Sequence, residues 1–313
     1  MLQYQIYRAK FNYGRFLNLE KPVDVSLELS SACNLSCKYC YHNEQSTLPF
    51  KKGLMDLSLA TKIIYEAKEL GVNSLKFNGR GESTLHPDFF KVTHLAKSLA
   101  SGSTFIDRIT NSNFKFQINR EDIFQGLCNQ TKVKVSFDSF QKEVFEKQRV
   151  GNNFEKCLAL VDKFHSYPGR DNQLVIQAVR TNLNINEDLE GEIKKRWPSA
   201  TASIRDVVSG RKTSNIEEFE HRKRDFANRK PCLQAFVRLV IHWDGMVSAC
   251  CPDISGKIVL GNTNKQHIGD IFNGPVAKKL RQDLKSKQAF LSEPCKSCSS
   301  FESFKGRSGK WSS

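Results

Sequence analysis

From residue 23 onward the chain switches between two hydrophobic periods. In "VDVSLEL" (23–29), Val25, Leu27 and Leu29 share one face at the period of two that predicts a strand. "MDLSLATKIIYEAKELG" (55–71) follows with the 3.6-residue period of a helix, closed by Gly71. "VNSLKF" (72–77) is the next strand, and "PDFFKVTHLAKSLASG" (87–102) is a helix with Pro87 at its start and Gly102 past its end. "FIDRIT" (105–110) and "VKVSF" (133–137) predict further strands, then a helix over 154–165 with an apolar stripe of Phe154, Cys157, Leu158, Val161 and Phe164. "LVIQAV" (174–179), a helix near 186–197 and "ASIRDV" (202–207) complete about six βα repeats, which require a parallel sheet with helices outside. A barrel and an open doubly wound sheet fit this pattern equally well.

The rhythm stops at residue 209. The polar, charged stretch 209–230 reads as a linker, and "VRLVIHWDGMVSACC" beyond it is a hairpin signal with Asp244 and Gly245 at the turn. The expected organisation is an N-terminal extension (1–22), a βα unit (23–208), a basic linker (209–230), a smaller domain (231–301) and a basic tail (302–313).

Composition adds limits. With 313 residues, 39% of them hydrophobic, the chain can bury a real core. No run approaches the roughly 18 apolar residues of a membrane span, and the amino terminus lacks the apolar segment of a secretory signal, so no membrane partner and a cytoplasmic location are expected. A net charge of +15 favours acidic partners such as phosphorylated sugars, nucleotides or nucleic acid. The densest basic stretches, "HRKRDFANRK" (221–230) and "KGRSGK" (305–310), do not interleave aromatics as single-strand binders do, and read as a solvated linker and a frayed end.

The ten cysteines change the picture most. In a reducing compartment they read as metal ligands or reactive thiols sooner than disulfides. Three fall in "SACNLSCKYCY" at Cys33, Cys37 and Cys40, and five at Cys232, Cys250, Cys251, Cys295 and Cys298, which suggests two metal sites. Cys157 belongs to a helix's apolar stripe, and Cys128 carries no local signal. Zinc and cubane sites closed by protein take four ligands, so the three-cysteine loop is one short.

A strand followed by Cys33-x3-Cys37-x2-Cys40, with Tyr39 just before the last cysteine, resembles the signature of the radical S-adenosylmethionine (radical SAM) superfamily. The resemblance implies a partial (β/α)6 TIM-type barrel with a small C-terminal α+β domain. It also implies a [4Fe-4S] cluster on three cysteines, whose open iron is chelated by the cofactor's methionine moiety, with Tyr39 beside the cofactor. "FNGRGESTLHPDF" (77–89) is similar to the family's glycine-rich stretch ending in Gly-Glu, which implies that Gly79, Gly81 and Glu82 meet the methionine end; Ser83 stands where the family often has proline. "TNSN" (110–113) and "VSFDS" (135–139) carry over Asn111, Ser136 and Asp138, the latter two facing the ribose.

Cys232, twelve residues, Gly245, four residues, Cys250, a gap, then Cys295-x2-Cys298 is similar to the twitch module, the short form of the SPASM domain. That resemblance implies one auxiliary [4Fe-4S] cluster on four cysteines, with a structural zinc as the alternative. Cys251 is then either a spare thiol or a catalytic hydrogen-atom donor.

On this resemblance the chain is an oxidoreductase that cleaves S-adenosylmethionine to a 5′-deoxyadenosyl radical and dehydrogenates a small molecule. The substrate expected is sugar- or cyclitol-like and able to carry phosphate, and the electron donor is flavodoxin or ferredoxin. Epimerisation with Cys251 as donor, and modification of a peptide or protein, are the alternatives within the family. The 22 residues before Val23 are too few for a peptide-leader domain. A zinc-containing nucleic-acid-binding protein, resting on the charge, is the rival from another class. His86 and His242 are the nearest candidates for a base, and both read as structural.

Overall fold

The computed structural model describes residues 2–40, 42, 50–99, 105–110, 121–129, 131–167, 174–206 and 230–298. Six parallel strands run in chain order: β1 Asp24–Leu27, β2 Ser74–Phe77, β3 Phe105–Thr110, β4 Lys132–Ser136, β5 Leu174–Arg180 and β6 Thr201–Asp206. Helices alternate with them: α2 Leu57–Glu69, α3 Phe89–Leu99, α4 Glu121–Cys128, α5 Lys142–Gln148, α6 Phe154–Ser166 and α7 Leu189–Arg196. Among the described residues β6 does not pair back to β1, so this is a partial (β/α)6 barrel.

The two faces of the sheet differ in kind. One buries Val25, Leu27, Leu75, Phe77, Val133, Val135, Leu174 and Ile176 in a core shared with Ile63, Val92, Phe124 and Val161 of the helices. The period of two puts Asp24, Ser26, Glu28, Lys76, Lys132, Lys134 and Ser136 on the other, inner face. At the start of β1 that face holds a buried charge cluster. The Asp24 carboxylate accepts hydrogen bonds from Lys76 Nζ (2.7 Å), Arg238 Nη2 (2.6 Å) and Tyr7 Oη (3.2 Å).

Tyr7 comes from α1, Leu2–Tyr13, a helix absent from the sequence reading. It packs by two aromatics: Tyr7, and Phe11 with its ring 5.4 Å from Lys76 Nζ and 5.4 Å from the Arg238 guanidinium. Helices α4 and α5 were also unannounced, being 8 and 7 residues long.

The hairpin at Asp244 and Gly245 continues the barrel's sheet. β7, Arg238–Ile241, pairs parallel with β1, and β8, Met246–Ser248, and β9, Val259–Asn262, continue antiparallel beyond it. Among the described residues the sheet thus has nine strands, and β1 is interior to it. Its inner alternation continues, because Arg238 lies opposite Asp24 in register. Helices at Ile268–Asn273 and Pro275–Lys285 complete the C-terminal part. It is seamed to α2 by Lys62 Nζ donating to Thr263 O (2.8 Å) and by Ile268 N donating to Glu66 Oε2 (3.1 Å).

Candidate active site

The loop that carries Cys33, Cys37 and Cys40 begins at the carboxyl end of β1, where βα-barrels assemble their ligands. It is strapped on both sides by backbone. Ser36 N donates to Val150 O (2.9 Å) and Lys38 N to Gln148 O (3.0 Å), while Ser31 N donates to Gly53 O (3.0 Å). A turn from Cys40 N to Cys37 O (2.9 Å) folds the last two cysteines together. Cys37 is buried, Cys33 and Cys40 half-buried. Burial pushes the Cys37 thiol far above its ordinary range, Arg149 opposes that rise, and the neighbouring Cys40 and Cys33 add to it.

Arg149 and Asp138 form the wall behind this loop. Arg149 Nε stands 2.9 Å from Asp138 Oδ2, and its Nη2 donates to Oδ1 (3.0 Å). Tyr39 Oη donates to Asp138 Oδ2 and Val179 N to Oδ1, while Asn184 Nδ2 donates to the Asp138 carbonyl (2.8 Å). Both carboxylate oxygens are therefore engaged within the protein, and the side chain is fully buried. The Asp138 carboxylate holds Tyr39 and Arg149 in place. Phe137, next to it, points the other way into an aromatic group with Phe140, Phe145, Phe154 and Trp197. Ser136 is buried at the end of β4, and Asn111 lies outside the described residues.

The stretch 79–82 follows β2 and lies against the start of the cysteine loop. Glu82 N donates to Ala32 O (2.8 Å). A Cβ on Gly81 would stand 2.2 Å from Ala32 O and 2.5 Å from the Ser31 carbonyl carbon, and one on Gly79 would stand 2.5 Å from the Glu28 side chain. At both glycines the backbone lies too close to neighbouring protein for a side chain. Glu82 Oε1 accepts from Thr84 N (3.0 Å) and Thr84 Oγ1 (2.7 Å), capping a short 3₁₀ turn over Ser83–Leu85.

Sequence reasoning missed Arg149, Glu28 and Arg80. Glu28, at the end of β1, accepts from Arg80 N (2.7 Å), Nε (2.9 Å) and Nη2 (2.7 Å), and His242 Nδ1 stands 3.5 Å from it. Burial works to raise the Glu28 carboxyl, but hydrogen bonds from His242 and Arg80 outweigh it and hold the group below its ordinary range. The signal was present for two of them: Glu28 continues the polar face of "VDVSLEL", and Arg80 interrupts the glycine pair. His242 Nε2 meets Ser248 Oγ (2.9 Å), and His86 Nε2 meets Met55 O (2.6 Å), so both histidines are built into the structure.

The second cysteine group is drawn from three distant segments. Cys232 feels the charge of Cys298, Cys295 and Cys251; Cys250 that of Cys232, Cys251 and Cys298. Burial is the main cause that pushes the Cys232 thiol up to about 12 and the Cys250 thiol well above its usual range. Asp253 shapes the loop after Cys250: its N donates to Cys250 O (3.3 Å), and its carboxylate accepts from Lys257 N (2.9 Å) and Ile258 N (2.8 Å). Cys251 belongs to the same group and also acts on Arg238.

Among the described residues no group of three or more His, Cys, Asp or Glu side chains is placed to hold a single metal ion. The donors at both places are thiols, the ligand class of iron–sulfur clusters. Such buried thiols ionise only against strong local positive charge, which iron supplies. The residues present fit the groups.

A fold with a partial TIM-type barrel and cysteines at the carboxyl end of its first strand defines a class of βα-barrel cofactor proteins. The family models narrow it: the radical SAM superfamily model matches residues 27–179, and the SPASM iron–sulfur cluster-binding domain matches 232–299. This chain belongs to the radical SAM enzymes and carries a C-terminal SPASM-type domain. A [4Fe-4S] cluster used with S-adenosylmethionine, and auxiliary iron–sulfur binding, come with that membership.

Among curated proteins it is similar to GTP 3′,8-cyclase of Chlorobaculum tepidum (26% identity, 46% of this chain and 41% of that protein). It is also similar to the mycofactocin maturase MftC of Mycobacterium ulcerans (24% identity, 67% and 53%). The chain thus spans about two fifths to a half of the length of these relatives. Among solved structures, BtrN in complex with AdoMet and 2-DOIA matches with a TM-score of 0.56 at 18% identity, over 88% of this chain and 92% of that one. Streptococcus suis SuiB bound to S-adenosylmethionine matches with 0.66 at 14%, over 84% and 68%. At these identities the structural likeness shows the fold. Among the described residues no helix is long and apolar enough to cross a membrane.

Proposed function

We propose that this enzyme dehydrogenates a sugar- or cyclitol-like small molecule, one that can carry phosphate, and that it does so in the cytoplasm. The observation that carries the reading is the second cysteine group: Cys250 follows β8, a strand of the same sheet as the barrel, and Cys232, Cys251 and Cys298 act on it electrostatically. Cys33, Cys37 and Cys40 hold the cluster that works with S-adenosylmethionine; Cys232, Cys250, Cys295 and Cys298 hold the auxiliary one. When bound, the first cluster and S-adenosylmethionine supply a 5′-deoxyadenosyl radical that abstracts hydrogen from a C–H bond, in a site the protein orients.

This chain's residues do the rest. Asp138 and Arg149 stiffen the loop around Tyr39, whose ring would flank the cofactor, and Arg149 sets a fixed positive charge beside Cys37. Gly79, Gly81 and Glu82 would meet the methionine end, and Asn111, Ser136 and Asp138 the ribose. A four-thiolate site fully occupied by protein suits electron transfer, which removal of two hydrogens from a substrate requires. On the inner face Lys132, Lys134 and Gln177 are half-buried, and their polarity suits an anionic, hydroxylated substrate. Flavodoxin or ferredoxin would be the electron donor.

Peptide modification is the second reading, favoured by likeness to SuiB bound to precursor peptide SuiA (TM-score 0.59, 14% identity) and to anSMEcpe with AdoMet and the Cp18Cys peptide (0.60, 18%). The zinc rival from another class does not fit the superfamily membership.

The test is anaerobic incubation of the iron-loaded protein with S-adenosylmethionine, reductant and panels of sugars, cyclitols, their phosphates and short peptides. A product two hydrogens lighter, formed in step with 5′-deoxyadenosine, is expected from the carbohydrate panel. Solvent deuterium appearing at an inverted carbon, and lost in Cys251→Ala, would replace dehydrogenation by epimerisation with Cys251 as donor. Turnover of peptides alone would select the second reading.

A further inference from the structure

Arg80 touches more of the two cysteine regions than its place between two glycines suggests. Its guanidinium is bound bidentately to the buried Glu28, whose strand leads into the first cysteine loop. Its carbonyl meets His42 Nε2 (2.9 Å) and its guanidinium lies 4.2 Å from the Phe50 ring centroid, both on the chain leaving that loop. Its remaining arm, Nη1, donates to Ile254 O (3.3 Å), three residues beyond Cys251. Arg80 is 6% exposed.

These contacts join into one continuous path. Cys250 O accepts from Asp253 N; Ile254, next in the chain, accepts from Arg80; the backbone runs through Gly81 to Glu82, whose N donates to Ala32 O, beside Cys33. The seam along α2 fixes the body of the C-terminal part, whereas this path joins the two cysteine loops themselves. A planar guanidinium suits the task, since its fork occupies both carboxylate oxygens and leaves an N–H for a third partner.

We propose that Arg80 is a positioning residue that locks the loop after Cys250 to the loop before Cys33, so that the two cluster sites keep a fixed separation and orientation. The inference depends on both sites being cluster sites and is independent of the substrate.

The test compares the iron-loaded wild type with three variants: Arg80→Lys, the neutral pair Glu28→Gln with Arg80→Met, and Lys62→Met on the α2 seam. The neutral pair avoids leaving Glu28 as an uncompensated buried charge, which alone can unfold the chain. Two measurements are made on folded protein: the magnetic interaction between the two reduced clusters by electron paramagnetic resonance, and hydrogen exchange of the backbone over 250–258 and 79–82. Loss of a charge-assisted hydrogen bond should raise exchange in both segments about tenfold or more in the neutral pair, and less in Arg80→Lys. The intercluster interaction should weaken or spread over several values in the neutral pair, recover in part in Arg80→Lys, and keep its wild-type form in Lys62→Met. An unchanged magnetic interaction and unchanged exchange in a folded, fully loaded neutral pair would overturn the proposal. So would an equal change in Lys62→Met. A wild type with iron for one cluster only would overturn the two-site reading itself, a failure visible in the iron count before any variant is made.

Discussion

The two cysteine loops each rest on a buried aspartate, but the aspartates are bound differently. Asp138, behind Cys33, Cys37 and Cys40, is held by the Arg149 cation and by Tyr39. Asp253, after Cys250, is held by the backbone N–H groups of Lys257 and Ile258. The first arrangement places a permanent positive charge beside the thiols, and the second is neutral apart from the carboxylate. A charge-paired wall suits a site that must receive an anionic group of a ligand; a loop stapled to its own backbone suits one that protein alone completes.

Substituting the ligands breaks this comparison most sharply. Replacing Cys33, Cys37 and Cys40 by alanine should remove about half the iron and reduce S-adenosylmethionine cleavage to background. Replacing Cys232 and Cys250 should remove a similar share of iron while cleavage persists and substrate product is lost. Iron assay and 5′-deoxyadenosine release read both outcomes.

The aspartates come next in size. Asp138→Asn leaves Arg149 buried without its counter-charge and should cost about 3–5 kcal/mol. Asp253→Asn weakens hydrogen bonds to neutral donors and should cost about 1–2 kcal/mol. Anaerobic thermal melting should therefore rank Asp138→Asn well below Asp253→Asn.

A pH titration sharpens the contrast between paired and unpaired acids. Burial acts to raise the Asp24 carboxyl, but Lys76 and Arg238 overcome it and hold the group far below its ordinary range. The unfolded chain therefore takes up the proton first as pH falls, and the stability due to this pair is full above about pH 5 and is lost on acidification below it. In Asp24→Asn the apparent Tm should start lower and fall less between pH 6 and pH 4.

The smallest effect concerns the fifth thiol. Cys251→Ala should leave the iron content unchanged, because the pattern assigns four other cysteines to the auxiliary site. A loss of iron would make Cys251 a ligand.

What could be read from the chain alone follows how local each feature is. Cys33, Cys37 and Cys40 sit within one loop, so their spacing carries their meaning, and the strands from Val25 to Ile176 advertise an apolar outer face by period. The helix Leu2–Tyr13 is held by Tyr7 and Phe11 against charges on β1, β2 and β7, a pairing with no sequence period. Arg149 and Asp138 are eleven residues apart and neither belongs to a motif that names the other. The donors that surround Asp138, from Tyr39, Arg149 and Val179, come from three separate segments that no local pattern links. The hairpin at Asp244 and Gly245 was legible, but its attachment to β1 was not, since strand order across more than 200 residues leaves no local mark.

That attachment bears on how the protein is made. During synthesis β1 emerges early, and its partner on one side, β2, follows soon after, but the other edge waits for Arg238–Ile241. Until then the strand that leads into the first cysteine loop presents bare N–H and C=O groups, a template for pairing with another chain. The C-terminal segment is therefore also a guard for that edge. A nascent chain stalled before it would be prone to aggregate at the same place where its first cluster is to be installed.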